Sequence, residues 1–283
     1  MDLNALIGRG FAPMVESYTA KDTMLYALGV GAGADPLDGN QLRFVYEEGL
    51  QCIPAQASVI AHPGPWLTAP ELAVDYLKVL HGEQRISFDR PLAPVARVRG
   101  EYEVVAIDDK GPGKGAILFF EKRIRDADTD GLICRVRSTY FLRGDGGCGS
   151  WGEIPTAPPP LPERAPDKVI EAVSLPRQAL IYRLSGDYNP LHADPHVAAR
   201  AGFERPILHG LCSYGMVCLE LVDHLCGGDP ARLTDLFARF SKPVFPGETI
   251  LIELFDEAAG WRFRARVAGR GDVVLDRGIA RVV

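Results

Sequence analysis

The stretch Gly210–Cys226, GLCSYGMVCLELVDHLC, sets Leu211, Tyr214, Cys218, Leu221, Val222 and Leu225 at helical spacing, and Gly227-Gly228 follows as a stop. The spacing predicts one long apolar helix. Downstream, ETILIELFDE, GWRFRARVAG and DVVLDRGIARVV are short, β-branched and roughly alternating, separated by turns that contain glycine. A helix followed by strands in succession gives an α+β fold with a mostly antiparallel sheet, and the helix can cover the sheet's apolar face. The runs ARVRGEYEVVAID, GAILFFEKRIRD and LICRVRSTYFLRG have the same character and close the first half of the chain.

The halves echo each other. Phe88, Arg90, Pro91 and Pro94 match Phe240, Lys242, Pro243 and Pro246 at an offset of 152, and Leu25, Tyr26 and Leu28 resemble Ile181, Tyr182 and Leu184 at an offset of 156. Two coincidences in the same order at nearly the same offset argue for duplication of one fold. Between them, Gly144–Lys168 concentrates glycines and then Pro158, Pro159 and Pro160 in a semi-rigid linker that runs over a surface. The expected organisation is a unit over 1–150, a linker over 151–167 and a second unit over 168–283.

A length of 283 residues fits two domains at about 150 residues each, and 47% hydrophobic residues exclude disorder of the whole chain. Lys and Arg number 31 against 37 Asp and Glu, a net charge of −6 with no long basic run. That balance argues against a nucleic-acid partner, although a local basic patch can receive one anionic ligand. Six cysteines without a CxxC pair read as reduced thiols of a cytoplasmic protein, with Cys212, Cys218 and Cys226 as core residues of the apolar helix. No membrane span is expected: prolines at 54, 63, 65 and 70 interrupt the uncharged stretch 49–70, and 206–219 is shorter than the roughly 20 residues needed. The N-terminus lacks a basic region followed by an apolar one, and Arg281-Val282-Val283 is not a peroxisomal address.

Chemistry concentrates between Tyr182 and Gly210, in YRLSGDYNPLHADPHVAARAGFERPILHG. Gly186 and Pro190 force Asp187, Asn189 and His192 into a loop, which can converge side chains that no helix face would bring together. A carboxylate and an imidazole aimed at one point are equipment for acid and base work on water, and Asn189 adds an amide to hold the water or the loop. The first amides of the helix that opens at His209-Gly210 are unpaired and lie at its positive end, so the Gly210 N–H is a candidate oxyanion donor. Plainer readings stand beside these: Gly-Asp-x-Asn-Pro is also turn chemistry, and His209 also suits a helix cap. His196, four after His192, suggests a zinc pair, but Pro195 intervenes and no third ligand is evident, so no metal is expected.

The segment resembles the signature of the MaoC-like (R)-specific enoyl-CoA hydratases, the type 2 hydratases. A G-D-x-N-P-[LIV]-H loop is read at Gly186–His192, and a hydrophobic-H-G-[LM] step at Leu208–Leu211. Tyr26–Gly31, Phe44–Glu47, Lys78–Gln84 and Asp109–Gly111 look like the first half of the two-domain, eukaryotic-style members. The resemblance implies a double hotdog, two long helices each wrapped by a curved antiparallel sheet. It also implies a single active site, because the first half has GVGAGADP where the second has SGDYNPLHADP.

The implied reaction is reversible addition of water to a trans-2-enoyl-CoA, giving a (3R)-3-hydroxyacyl-CoA. Asp187, Asn189, His192 and Gly210 would be catalytic, and His81, Gly82, Lys110, Tyr188, Pro190, Leu191, Arg239, Phe240 and Lys242 would bind substrate. No cofactor is expected beyond the CoA carried by the substrate; a homodimer and a place in fatty acid metabolism such as β-oxidation are further expectations. Two alternatives stay open: a hotdog acyl-CoA thioesterase, in which water attacks the thioester carbonyl, and a binding module without turnover, which the presence of Asp187 and His192 counts against.

Overall fold

The computed structural model describes residues 1–283. Its strands are β1 (Met14–Tyr18), β2 (Val79–Phe88), β3 (Ala96–Asp109), β4 (Ala116–Asp126), β5 (Leu132–Leu142), β6 (Trp151–Gly152), β7 (Lys168–Val173), β8 (Leu233–Phe240), β9 (Thr249–Glu257), β10 (Gly260–Val267) and β11 (Val273–Val282). Its α-helices are α1 (Leu3–Ile7), α2 (Ala20–Gly29), α3 (Gly39–Leu42), α4 (Gln178–Tyr182), α5 (Pro195–Arg200) and α6 (Gly210–Cys226). All strands join one antiparallel sheet in the order β1-β3-β4-β5-β2-β8-β11-β10-β9-β7, with β6 beside β3. The two halves therefore meet edge to edge, β2 against β8, as a double hotdog.

The join records the duplication. Glu83 pairs with Arg239, Arg85 with Phe237 and Ser87 with Asp235. The offset of 152 that relates Phe88 to Phe240 also relates Glu83 to Asp235, Arg85 to Phe237 and Ser87 to Arg239. The register is thus its own image under a two-fold axis through the Arg85–Phe237 pair.

Helix α6 covers the residues that the periodicity predicts and ends at Gly227, whose φ of 64° only glycine adopts readily. It is buried on nearly every face, because the second half's sheet lies on one side and elements of the first half on the other. Gly215 permits that approach: a Cβ there would lie 2.5 Å from the Val30 side chain. Gln178 of α4 ties the halves again, its amide donating to the Leu28 and Gly29 carbonyls at the end of α2.

The first copy departs from expectation in one respect. In place of a second long helix, Pro54 opens a 3-10 helix of five residues, Pro54–Ser58, packed against α6. The prolines at 54, 63, 65 and 70 supply no amide donor and break what would otherwise continue as a helix. Lys122 of β4 takes over the missing donors: its buried ammonium reaches the carbonyls of Ala57, Ser58 and Ile60. Burial pushes this amine down to about 8. Replacing Lys122 by Met keeps the apolar stem and orphans those carbonyls, so urea denaturation should show a loss of about 2 kcal/mol; unchanged stability would mean that the carbonyls find other donors.

Candidate active site

The loop between α4 and α5 places its side chains through local turn chemistry. Asp187 Oδ1 accepts from the Asn189 N–H at 3.1 Å, and Asn189 Oδ1 accepts from the Leu191 N–H at 3.0 Å. Asn189 thereby caps a 3-10 turn over Pro190–His192 that carries His192 back into the protein. The plain turn reading and the functional reading hold together: the same two side chains build the loop and sit at the cavity.

His192 Nδ1 lies 2.9 Å from the Ile207 carbonyl, which can only accept, so the proton is on Nδ1 and Nε2 keeps its lone pair. His209 Nε2 lies 3.2 Å from the Asp187 main-chain carbonyl and by the same logic carries the proton, while its buried Nδ1 has no partner. The two imidazoles stack with centroids 3.7 Å apart and planes 26° apart. Burial holds His192 below its usual value of 6.5, and burial together with His192 pushes His209 down to about 4. Both rings are neutral at neutral pH.

A cavity of about 970 Å³ opens onto this loop. Asp187, Asn189, His192 and Gly210 line it, together with His81, Gly82, Lys110, Arg239, Phe240 and Lys242. Gly210 opens α6 with no side chain capping the helix, and a Cβ there would lie 3.2 Å from the Phe240 ring. His81 sits against the Phe240 ring at 4.9 Å and bonds through Nε2 to Gln84 Oε1 at 2.9 Å; burial pushes it down to about 4.

Three expected substrate contacts stand outside the cavity lining. Tyr188 turns outward under the Arg183 guanidinium, 5.0 Å from its ring, and Pro190 and Leu191 are spent on the 3-10 turn. Nor are the expected cations free charges: Lys110 pairs with Asp108, Arg239 with Glu83 and Lys242 with Asp272. Arg85 and Arg137 also line the cavity, paired with Asp235 and Glu121, and escaped the sequence reading. They stand opposite each other on β2 and β5, a cross-strand partnership with no local signal in either strand.

His209 was missed as a member of the cluster. Ligand atoms of Asp187, His192 and His209 all lie within 4.8 Å of one another, so the third group absent beside His192 and His196 is supplied by the fold. His196 itself is exposed. The ring nitrogens already committed to carbonyls suit proton handling, and dialysis against a chelator should leave activity unchanged. A loss reversed by zinc would assign the trio to a metal. Because burial lowers the value of His192, the acid limb of kcat/KM should fall below pH 6.5. Stability should decline over the same acid range, since the unfolded chain binds protons that the buried histidines refuse; a pH–rate profile and thermal unfolding at several pH values check both.

A duplicated hotdog with one acid–base loop facing one cavity is the build of a hydratase or dehydratase. Residues 17–144 match the MFE-2 hydratase 2 N-terminal domain, and residues 158–273 match the MaoC like domain. The chain is 42% identical to 3-hydroxyacyl-thioester dehydratase Y of Mycobacterium tuberculosis, over 98% of this chain and 97% of that protein. It is 38% identical to the peroxisomal enoyl-CoA hydratase 2 of Arabidopsis thaliana, over 92% and 88%. The crystal structure of a MaoC-like dehydratase from Phytophthora capsici matches with a TM-score of 0.86 at 32% identity, covering 100% of this chain and 99% of that one. The chain belongs to the MaoC-like family of enoyl-thioester hydratases and dehydratases.

Proposed function

We propose that this enzyme catalyses the reversible hydration of a trans-2-enoyl-CoA to a (3R)-3-hydroxyacyl-CoA. The observation that carries the reading is the convergence of the Asp187 side chain and the His192 ring, whose Nε2 keeps its lone pair, beside the N-terminus of α6 on the wall of one cavity. A water held by the two groups adds its oxygen to C3. One of its protons passes to the carboxylate or the imidazole, the C2–C3 π electrons shift toward the thioester oxygen, and a proton returned to C2 completes the addition. The negative charge that gathers on that oxygen falls to the Gly210 N–H at the positive end of α6. His209 holds the main chain of Asp187, and Phe240 and His81 pack the floor beside Gly210.

The CoA phosphates would draw Lys110, Arg239 and Lys242 from their carboxylate partners, an exchange of one charge pair for another. No helix is long and apolar enough to cross a membrane. Six unpaired cysteines support a cytoplasmic setting, and a homodimer would show by light scattering as twice the chain mass of 30.8 kDa.

The test follows loss of the conjugated thioester absorbance of enoyl-CoA esters. Asp187→Asn, which keeps the bond to the Asn189 N–H, and His192→Ala should each lower kcat by about 10² to 10⁴ with KM little changed. Release of free thiol without hydroxyacyl-CoA would replace this reading with thioester hydrolysis.

A further inference from the structure

The linker is part of the cavity. Ile154, Pro155, Thr156, Ala157 and Pro158 form one of its walls, and the segment is tied at both ends. Upstream, Trp151 and Gly152 pair with Ile107 and Ala106 of β3. Gly152 has a φ of 75°, and a Cβ there would lie 2.5 Å from the Val105 carbonyl oxygen, so this tie admits no larger residue. The same end is fastened to the loop of Lys110. The Asp109 carboxylate accepts from the Gly147 and Gly149 N–H groups at 2.8 Å, and the Asp109 N–H donates to Ser150 Oγ at 3.0 Å.

Downstream, the opposite half holds the linker by two guanidinium groups. Arg277 Nη1 donates to the Pro158 carbonyl at 2.9 Å and Arg262 Nη2 to the Pro159 carbonyl at 2.8 Å. Proline has no N–H, so these carbonyls are the only polar main-chain groups available to grip. Arg262 Nε also donates to the Gly278 carbonyl at 3.0 Å, which fixes one guanidinium to the base of the other. Arg277 occupies the left-handed region with φ 54°, where β11 slips register against β8 between Asp276 and Ile279. A bulge redirects a side chain at the cost of a ladder pair, and a non-glycine residue stays in this backbone region only when its surroundings hold it there.

We propose that Arg262 and Arg277 are positioning residues for the coenzyme arm of the substrate, acting through the linker: they hold Ile154–Pro158 as a preset wall of the cavity that Lys110 also lines, on a segment whose upstream end is bonded to Asp109 beside Lys110. The inference rests on the acyl-CoA reading above. A wall ordered before binding spares the ligand the entropy of ordering it, so the clamp is felt in affinity and not in the chemical step.

Arg277→Gly tests this without threatening the fold, since glycine adopts the same φ freely while losing the guanidinium. Coenzyme A binding by calorimetry should weaken about fivefold, as for one lost hydrogen bond, and KM for enoyl-CoA should rise to match. The kcat, the melting temperature and the KM for an enoyl-pantetheine thioester, which lacks the nucleotide, should stay at wild-type values. Arg277→Lys, which can still donate to the Pro158 carbonyl, should recover affinity. Unchanged coenzyme A affinity in Arg277→Gly overturns the clamp, as does an equal loss with the pantetheine thioester or a fall in melting temperature that accompanies the weaker binding. Wild-type protein that binds no coenzyme A would instead defeat the acyl-CoA reading itself.

Discussion

The β2–β8 pairing is the constraint on which the rest depends. It turns two curved sheets into one and puts the edge of each half against the other, so neither copy exposes that edge. Its side chains are charged where a buried seam would ordinarily be apolar: Glu83 faces Arg239, and Arg85 reaches Asp235, which also accepts from Ser87. Asp235 is 5% exposed, and removing Arg85 would leave a buried carboxylate with little compensation. Glu83, Arg85 and Arg239 line the cavity as well. The site therefore belongs to the seam between the two copies.

The duplication also shows that the candidate acid–base groups occur in one copy alone. At the offset of 156 that relates Tyr26 to Tyr182, Asp187 falls on Gly31, Asn189 on Gly33 and His192 on Pro36. His209 falls on Ile53, and Gly210 on Pro54. Every titratable group has become one that cannot exchange a proton, and the helix N-terminal donor has become a nitrogen without hydrogen. The same Pro54 reduces the first copy's helix to a 3-10 turn, and the buried Lys122 ammonium compensates the carbonyls so exposed. The missing donor and the shortened helix thus trace to one residue of the backbone.

What the sequence made legible was local. The α6 stripe, the strands that follow it and the Gly186–His192 turn each depend on neighbours within a few residues, and the structure places them where periodicity and turn chemistry predict. Features set by distant partners were hidden. Strand β2 mixes Glu83 and Arg85 with Gln84 and Ile86 and reads as neither alternating core nor surface, because one face meets the core and the other a charged cavity. His209 looked like a cap because its partners, Asp187 and His192, come from an earlier loop. The linker was read as surface chain, since nothing local to its prolines reveals Arg262 and Arg277 more than a hundred residues away.

The stacked histidines limit what the site can do with protons. With centroids 3.7 Å apart, two imidazolium rings would repel strongly in a buried setting, so the pair holds at most one added proton at ordinary pH. His209 is the poorer recipient, pushed down to about 4 and bound through its protonated nitrogen to the loop it supports. In the proposed hydration, the proton taken from water would therefore go to His192 or to Asp187, both against the same cavity. One added proton on the histidine pair is all that the proposed addition asks of it, since water would surrender one proton and C2 would receive one, with no net charge left behind.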